Sequence, residues 1–430
     1  MRTITYMIFL VGLLKYHVSC LDFHVAPMQG YTNFAFRQLF RELSCSSPST
    51  VLWTEMEKIP DLLDADAGGL ERRFGAPGKK SIVLQVGGNE AVQMGRCMQH
   101  LSAHGYTFSE INLNAGCPSI ESGGATTFGA TLMKQPKLTR ELLSVLKEST
   151  NTGSSSTEIS IKCRIAVLET PDDIDAPFTE SQYEKLTEYV QYAQEGGISH
   201  LALHARAAVL SGLSPTKNRQ APPLDYSVVE RLARDFPMLR VTLNGGISRL
   251  SQYNQLVKHL PETSVSSLMA GRWILRRPLD LAFVTDCTND GCAGPKDESA
   301  SLSAVKAVES YTNFVRYCFS NSKSKQSHLP SLQDLVLPMF MVSEQLREDY
   351  ERVDDSHDDD CCNDARLEVT DMEDVYDILT ETIKWMETCR GTKQTKFSAD
   401  SIQFNKLNSS FKSLVCTKVA NKWKRNRSEL

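Results

Sequence analysis

The chain has 430 residues, 41% of them apolar and 23% charged, with a net charge of −5 and a pI near 6.0. That length allows two or three domains at about 100–200 residues each, and the composition excludes a collagen, a disulfide mini-scaffold and a wholly disordered chain. Mild overall acidity does not advertise nucleic-acid binding, although the local distribution of charge decides that question.

Met7 to Leu14 reads MIFLVGLL, with Arg2 before it and Cys20 after it. The run is too short to span a bilayer. It reads either as the core of a signal segment or as an apolar extension, so residues 1–20 are set apart as a leader. No later stretch is a membrane-span candidate, and no membrane insertion of the mature chain is expected. The 12 cysteines include no C-x-x-C pair, so no metal site is expected. A chain of this size needs no disulfides, and its thiols read as reduced.

From Leu21 to about Leu281, short β-rich runs alternate with longer helix-compatible stretches. The predicted strands are Phe23–Met28, Val51–Met56, Ser81–Gly87, Glu110–Ala115, Ile159–Ile165, His200–Ala205, Arg240–Leu243 and Ser264–Ala270. Predicted helices between them include Asn89–His104, Leu138–Lys147, Ser181–Gln194, Tyr226–Phe236 and Leu250–Leu260. Such alternation implies parallel strands joined by helical crossovers. Eight units in about 250 residues match a (β/α)8 barrel. The competing doubly wound sheet usually carries G-x-G-x-x-G after its first strand when it binds a dinucleotide. Here that strand runs into Ala26-Pro27-Met28-Gln29-Gly30.

The fold class is therefore α/β: a (β/α)8 TIM barrel over 21–285, then a linker over 286–303, then a smaller all-helical domain over 304–430. In that last part Val308, Tyr311, Phe314, Val315 and Phe319 fall at helical spacing, as do Leu335, Met339, Val342 and Leu346. Asp354–Asp364 is acidic but lacks the glycine and the terminal glutamate of a calcium loop, and reads as solvated surface. Phe411–Arg427 is a predicted helix carrying Lys412, Lys418, Lys422, Lys424, Arg425 and Arg427. Those cations either solvate a helix end or contact phosphates.

In this barrel class sites lie at the C-terminal ends of the strands. Those ends carry Gln85, Asn112, Asn114, Cys117, Lys162, Arg164, His204 and Arg206, then Asn244-Gly245-Gly246 and Gly271-Arg272. A period of two puts Lys162 with Arg164, and His204 with Arg206, on one strand face. Buried cations are rare unless paired. Their repetition points to an anionic or electron-rich ligand in the barrel mouth, with a salt-bridged barrel plug as the alternative. The glycines after the seventh and eighth strands suit a phosphate, and Arg272 would add a charge-assisted bond. A phosphate site beside a lysine, a histidine and a glutamine suits flavin mononucleotide (FMN). Cys117, between Gly116 and Pro118, is either a general acid or a buried inert cysteine.

Taken together, the stretches APM (Ala26–Met28), TEM (Thr54–Met56), LQVGG (Leu84–Gly88), INLNAGCPS (Ile111–Ser119), FGATLM (Phe128–Met133), IKCRI (Ile161–Ile165), HAR (His204–Arg206), NGGI (Asn244–Ile247) and AGR (Ala270–Arg272) resemble the tRNA-dihydrouridine synthases. The LSPTKNR (Leu213–Arg219) and PPLDY (Pro222–Tyr226) stretches resemble the DusA-type branch in particular. The resemblance runs in order from about Phe23 to Leu281. It implies a flavin oxidoreductase in which NADPH reduces bound FMN, hydride passes to C6 of a D-loop uridine of tRNA at positions 20 and 20a, and a cysteine protonates C5. Carried over by position, Cys117 is the proton donor. Pro27, Met28, Gln29, Gln85, Lys162, His204, Asn244, Gly245, Gly246, Gly271 and Arg272 hold FMN, and Asn114, Thr216 and Arg219 contact tRNA. A helical domain with a basic end would grip the RNA by shape and phosphates. The implied setting is the cytoplasm or an organelle, plastid or mitochondrion, and no oligomer is implied.

The chain departs from the family in places. Ile120–Thr127 holds one residue more than usual, Ser119–Thr127 lacks a basic residue common there, and Thr216 stands where lysine is frequent. Asn151–Ser156 reads as a surface insertion. Two rivals remain: an FMN-dependent barrel reductase of a small molecule, and a tRNA-binding protein without catalysis.

Overall fold

The computed structural model of the chain describes residues 21–44, 50–118, 128–150, 157–214, 216–284, 297–321, 329–355, 369–390 and 403–414. The leader, the acidic stretch beyond residue 355, the stretch 119–127, the insertion 151–156 and the basic positions from Lys418 to Arg427 lie outside the described residues.

Eight parallel strands close into a barrel: β1 (Asp22–Val25), β2 (Thr50–Lys58), β3 (Gly78–Gly87), β4 (Tyr106–Ala115), β5 (Glu158–Arg164), β7 (His200–His204), β9 (Arg240–Asn244) and β10 (Ser267–Ala270), with β10 pairing back onto β1. Two short strands, β6 (Val167–Leu168) and β8 (Ala208–Val209), make a separate parallel pair just beyond the ends of β5 and β7. All eight predicted strands are barrel strands with shifted ends. β1 stops before Pro27, which has no N–H to continue the ladder; its last rung is Ala26 N–H to the Ala270 carbonyl at 2.8 Å. The strand β10 starts later than predicted because Thr263 turns the chain, its hydroxyl accepting from Val265 N–H at 3.1 Å.

The crossovers are α1 (Phe34–Leu43), α2 (Ile59–Leu63), α3 (Ala67–Phe74), α4 (Ala91–Ala103), α5 (Pro136–Thr150), α6 (Glu180–Glu195), α7 (Tyr226–Asp235), α8 (Leu250–His259) and α9 (Arg272–Arg276). Local chemistry starts several of them. Asn33 Oδ1 accepts from Phe36 N–H at the head of α1, and Thr179 with Gln182 makes a reciprocal capping box at α6. The helices lay Phe36, Leu39, Phe40 and Leu43, or Tyr183, Leu186 and Val190, against the outward apolar faces of the strands. The barrel interior is different. Ala26, Trp53, Val83, Ala202 and Met269 form a small apolar cluster there. Around it lie buried His24, Gln85, Glu110, Asn112, Ser160, His200, Thr242 and Ser267.

A second, helical part follows: α10 (Asp297–Asn321), α11 (Leu332–Asp355), α12 (Val369–Arg390) and α13 (Phe404–Ser413). The helix α10 begins at Asp297, inside the stretch whose Gly, Asp and Ser content reads as a linker. It packs on α1, and α11 packs on α1 and on the 3-10 turn Pro278–Phe283. Among the described residues no helix is long and apolar enough to cross a membrane.

One buried ionic group joins the two parts. Arg277 meets Asp349 of α11 in a bidentate pair at 2.7 and 3.0 Å, and its Nε donates to Asp280. Trp273 and Gln345 also donate to Asp280, at 2.7 and 2.8 Å, while Gln345 Oε1 accepts from Leu279 N–H at 2.9 Å. Burial lifts the Asp280 carboxyl to about 6 against the pull of Arg277 and Trp273. Removing one partner from such a group leaves a buried charge uncompensated. Arg277→Ala is expected to cost about 3–5 kcal/mol of stability, read as a lowered urea midpoint. An unchanged midpoint would show that the pair contributes little to the joint.

Candidate active site

The C-terminal ends of the strands bring most of the predicted residues to one barrel mouth. Asn114 on β4 stands in register with Lys162 on β5, and His204 on β7 with Asn244 on β9. Burial, reinforced by Arg164, draws the Lys162 ammonium down to about 8, with the Cys163 and Cys117 thiols acting in the opposite direction. His204 is held well below its ordinary value by burial and then by Arg164, Lys162, Arg206 and Arg272, so the ring is neutral. Its Nδ1 is buried and has no hydrogen-bond partner among the described residues.

The glycine loops have specific backbone reasons. Gly245 and Gly246 sit at φ +112° and +79°, which L side chains rarely adopt. A Cβ at Gly245 would lie 3.1 Å from His204 Cε1, and one at Gly271 would lie 2.9 Å from Met28 Sδ. Tyr226 of the PPLDY stretch donates to the Gly245 carbonyl at 2.7 Å, and Asn244 Nδ2 ties β9 to the Met269 carbonyl at 2.9 Å. Pro27 and Met28 are half-buried where β1 turns, and Gln29 is exposed in that turn.

The Cys117 loop is held from below. Asn114 Oδ1 accepts from the N–H groups of Gly116 and Cys117 at 3.2 and 3.1 Å, and its Nδ2 donates to Gln85 Oε1 at 2.9 Å. Asn114 is 8% exposed, so its amide is engaged in the protein while its place at the mouth edge is kept. Cys117 O accepts from Ala130 N–H at 3.0 Å, tying the loop to the FGATLM element. Cys97, Cys117, Cys163 and Cys318 are thiols.

The repeated cations divide their work. Lys162 and His204 face the mouth, whereas Arg164 is 4% exposed and donates to the carbonyls of Gly116, Ala207 and Asn218, each at 3.2 Å. Arg206 likewise donates to the carbonyls of Gln220 and Pro222. Asn218 was legible only as part of the KNR stretch. Its amide copies a strand partner, accepting from Val209 N–H and donating to Val209 O, both at 2.8 Å. That pins the turn presenting exposed Lys217 and half-buried Thr216 and Arg219. Arg272 reaches the same turn through the Arg219 carbonyl at 3.3 Å. Among the described residues no carboxylate lies within ion-pair distance of Lys162, Arg164, Arg206 or Arg272. The mouth is a cationic bowl with an unsatisfied ring nitrogen, which fits a phosphate-bearing, electron-rich ligand.

Glu55 stands in the sequence only as part of the TEM strand end, with no role assigned to it. It accepts from Gly30 N–H at the turn after β1, and burial, then Glu57, lifts its carboxyl to about 7. Arg37 and Asp334 also act on it, and Asn33 donates to Asp334 Oδ1 at 3.1 Å from the same corner. A raised carboxyl means that the folded chain holds its proton longer than the unfolded one. Stability from this group therefore falls as pH rises from 4.5 to about 7. Glu55→Gln is expected to flatten the unfolding free energy against pH in that window. A curve parallel to wild type would remove Glu55 as the source.

The Dihydrouridine synthase (Dus) family model matches residues 24–373. The chain is 35% identical over 270 residues to a tRNA-dihydrouridine(20/20a) synthase of Pasteurella multocida, covering 62% of this chain and 73% of that one. It is 31% identical over 291 residues to the protein of that name from Shewanella oneidensis, covering 67% and 77%. With the one from Synechocystis it shares 35% over 262 residues, covering 60% and 70%. The barrel, its cationic mouth and the cysteine loop thus sit in a chain that belongs to the dihydrouridine synthase family.

Proposed function

We propose that this chain reduces the C5–C6 double bond of D-loop uridines of tRNA at positions 20 and 20a, with FMN as its flavin and NADPH as reductant. What supports the reading most is the convergence of the Cys117 loop, Lys162 and His204 on one carboxylate-poor mouth. The relatives' shared name supports the substrate class.

The residues present fit a flavin with a terminal phosphate. Gly245, Gly246 and Gly271 let the backbone lie against His204, Leu224 and Met28 where a Cβ would clash, Arg272 supplies a cation beside them, and the unpartnered His204 Nδ1 can meet a polar ring edge. Pro27, Met28, Gln29, Gln85 and Asn244 complete the wall around that place. When bound, reduced FMN supplies hydride to C6 of the uracil. Lys162 keeps much of its charge at neutral pH and steadies negative charge in the mouth. Cys117 Sγ gives its proton to C5, which completes the saturated bond, and Asn114 holds the loop that presents the thiol.

The target base must leave its stack to enter the mouth. In this reading Lys217, Thr216 and Arg219 meet the RNA that flanks the target base, and the helical part supplies further contacts to its backbone. The setting of such a reaction is the cytoplasm or an organelle that houses tRNA.

Cys117→Ala is expected to retain flavin and lose dihydrouridine formation by about 100-fold or more, read by mass spectrometry of tRNA lacking the modification. Full turnover in that variant would remove the proton-donor role, and flavin without tRNA turnover in wild type would favour a small-molecule reductase. Gly245→Ala, strained at φ +112° and set against the His204 ring, is expected to purify with less flavin by absorbance at 450 nm, about 10-fold weaker in binding. Wild-type occupancy would show that the loop does not shape the cofactor site.

A further inference from the structure

The barrel interior holds one continuous hydrogen-bonded chain that the reaction itself does not consume. At the floor, His200 Nε2 pairs with the Thr242 hydroxyl at 2.7 Å and its Nδ1 with Glu110 Oε1 at 2.8 Å. The Ser160 hydroxyl donates to the same Glu110 oxygen. Asn112 Nδ2 donates to Ser160 Oγ at 2.8 Å, and Gln85 Nε2 donates to Asn112 Oδ1 at 2.9 Å. Asn114 Nδ2 then donates to Gln85 Oε1, and Asn114 Oδ1 receives the N–H groups of Gly116 and Cys117. Every side chain in the chain is buried.

An amide carries a donor at one end and an acceptor at the other, and a hydroxyl can face either way. A carboxylate only accepts. With Glu110 ionised, Ser160 must donate downward and therefore accept from Asn112. Asn112 must then offer its oxygen to Gln85, Gln85 its oxygen to Asn114, and Asn114 its oxygen to the two loop N–H groups. The order is the one observed at every link. Burial works against the Glu110 charge, but His200 and Ser160 outweigh it and hold the carboxyl below its ordinary range.

We propose that Glu110, Ser160 and Asn112 are positioning residues for the Cys117 loop, acting through the direction of this hydrogen-bond chain. The proposal rests on the reading of Cys117 as proton donor. A reversed Asn114 would set an NH2 group against the Cys117 N–H, two buried donors face to face, and a reversed Asn112 or Gln85 would oppose like groups further down the chain. Packing alone does not ask for this arrangement, because barrels of this class commonly fill their interior with branched apolar layers.

Ser160→Ala removes the hydroxyl that joins floor and amides, and Ser160→Thr keeps one. The flavin-loaded proteins are compared by thermal melting, by kcat and KM on tRNA, and by the rate at which iodoacetamide alkylates Cys117, read on its peptide. For Ser160→Ala the expected result is retained flavin, an unchanged KM, a kcat lower by about 10-fold to 100-fold and alkylation faster by about 3-fold or more. Ser160→Thr is expected to return both towards wild type. Wild-type kcat and wild-type alkylation in Ser160→Ala would overturn the proposal. If Ser160→Ala does not fold, Asn112→Ala breaks the next link and is read the same way. Turnover retained by Cys117→Ala would sink the acid assignment instead, while the alkylation rates would still test the chain.

Discussion

Three loops of the mouth meet on the guanidinium of Arg164. Its donors reach the carbonyls after β4 and β7 and the carbonyl of Asn218 in the KNR turn. Five N–H donors in a rigid fork allow one side chain to do this, and a lysine could not. Burial draws Arg164 down to about 10, and the neighbouring Arg219, Arg206 and Arg272 add to the cost, with the Cys117 thiol acting the other way. A carboxylate beside Arg164 would relieve that cost but cancel the field of the bowl. Satisfying the cation with backbone carbonyls keeps the loops in place and leaves the positive potential for an anionic ligand.

The opposite solution appears at the joint between barrel and helices. There Arg277 is balanced by Asp280 and Asp349, and Trp273 and Gln345 satisfy the remaining oxygens. Two carboxylates face one guanidinium there, so the cation's field is cancelled rather than kept, and the side chains are almost fully withdrawn from water. The same residue type thus does two kinds of work a short distance apart in sequence. Arg272 opens α9 facing the mouth, and Arg277 closes the turn after it facing α11.

Much of this was legible from residue spacing. Strand–helix alternation gave the barrel, because eight β-rich runs at regular intervals admit few other closures. The mouth residues followed from strand ends, since a strand's direction decides which end carries the loops. Strand ends proved less legible, because they depend on Pro27 and Thr263, whose effects are local. The division between Lys162, which faces the mouth, and Arg164, which staples loops, could not be read from a shared strand face. It depends on which loop carbonyls arrive from 43 and 54 residues away. Glu110 and His200 lie 90 positions apart, and a lone glutamate in an alternating strand carries no mark of a partner on another strand. Glu55 was hidden in the same way, inside a motif whose value lay in resemblance.

Asn33 and Asp334 lie 301 positions apart and touch where α1 meets α11. The barrel seam, where β1 pairs with β10, is covered by the same late helices through α10 and α11. β1 therefore finds β2 early but waits for its other neighbour until Ser267–Ala270 is made, and for the helices that cover the seam until later still. During synthesis the side of α1 that carries Phe34, whose ring meets Phe314 of α10 edge to face, stands open until that helix is made. Contacts this distant in sequence slow folding through the entropy of closing the long loop. Ribosome-bound chains cut before α10 would expose that side, so the vulnerability lies at α1, made well before the helices that cover it.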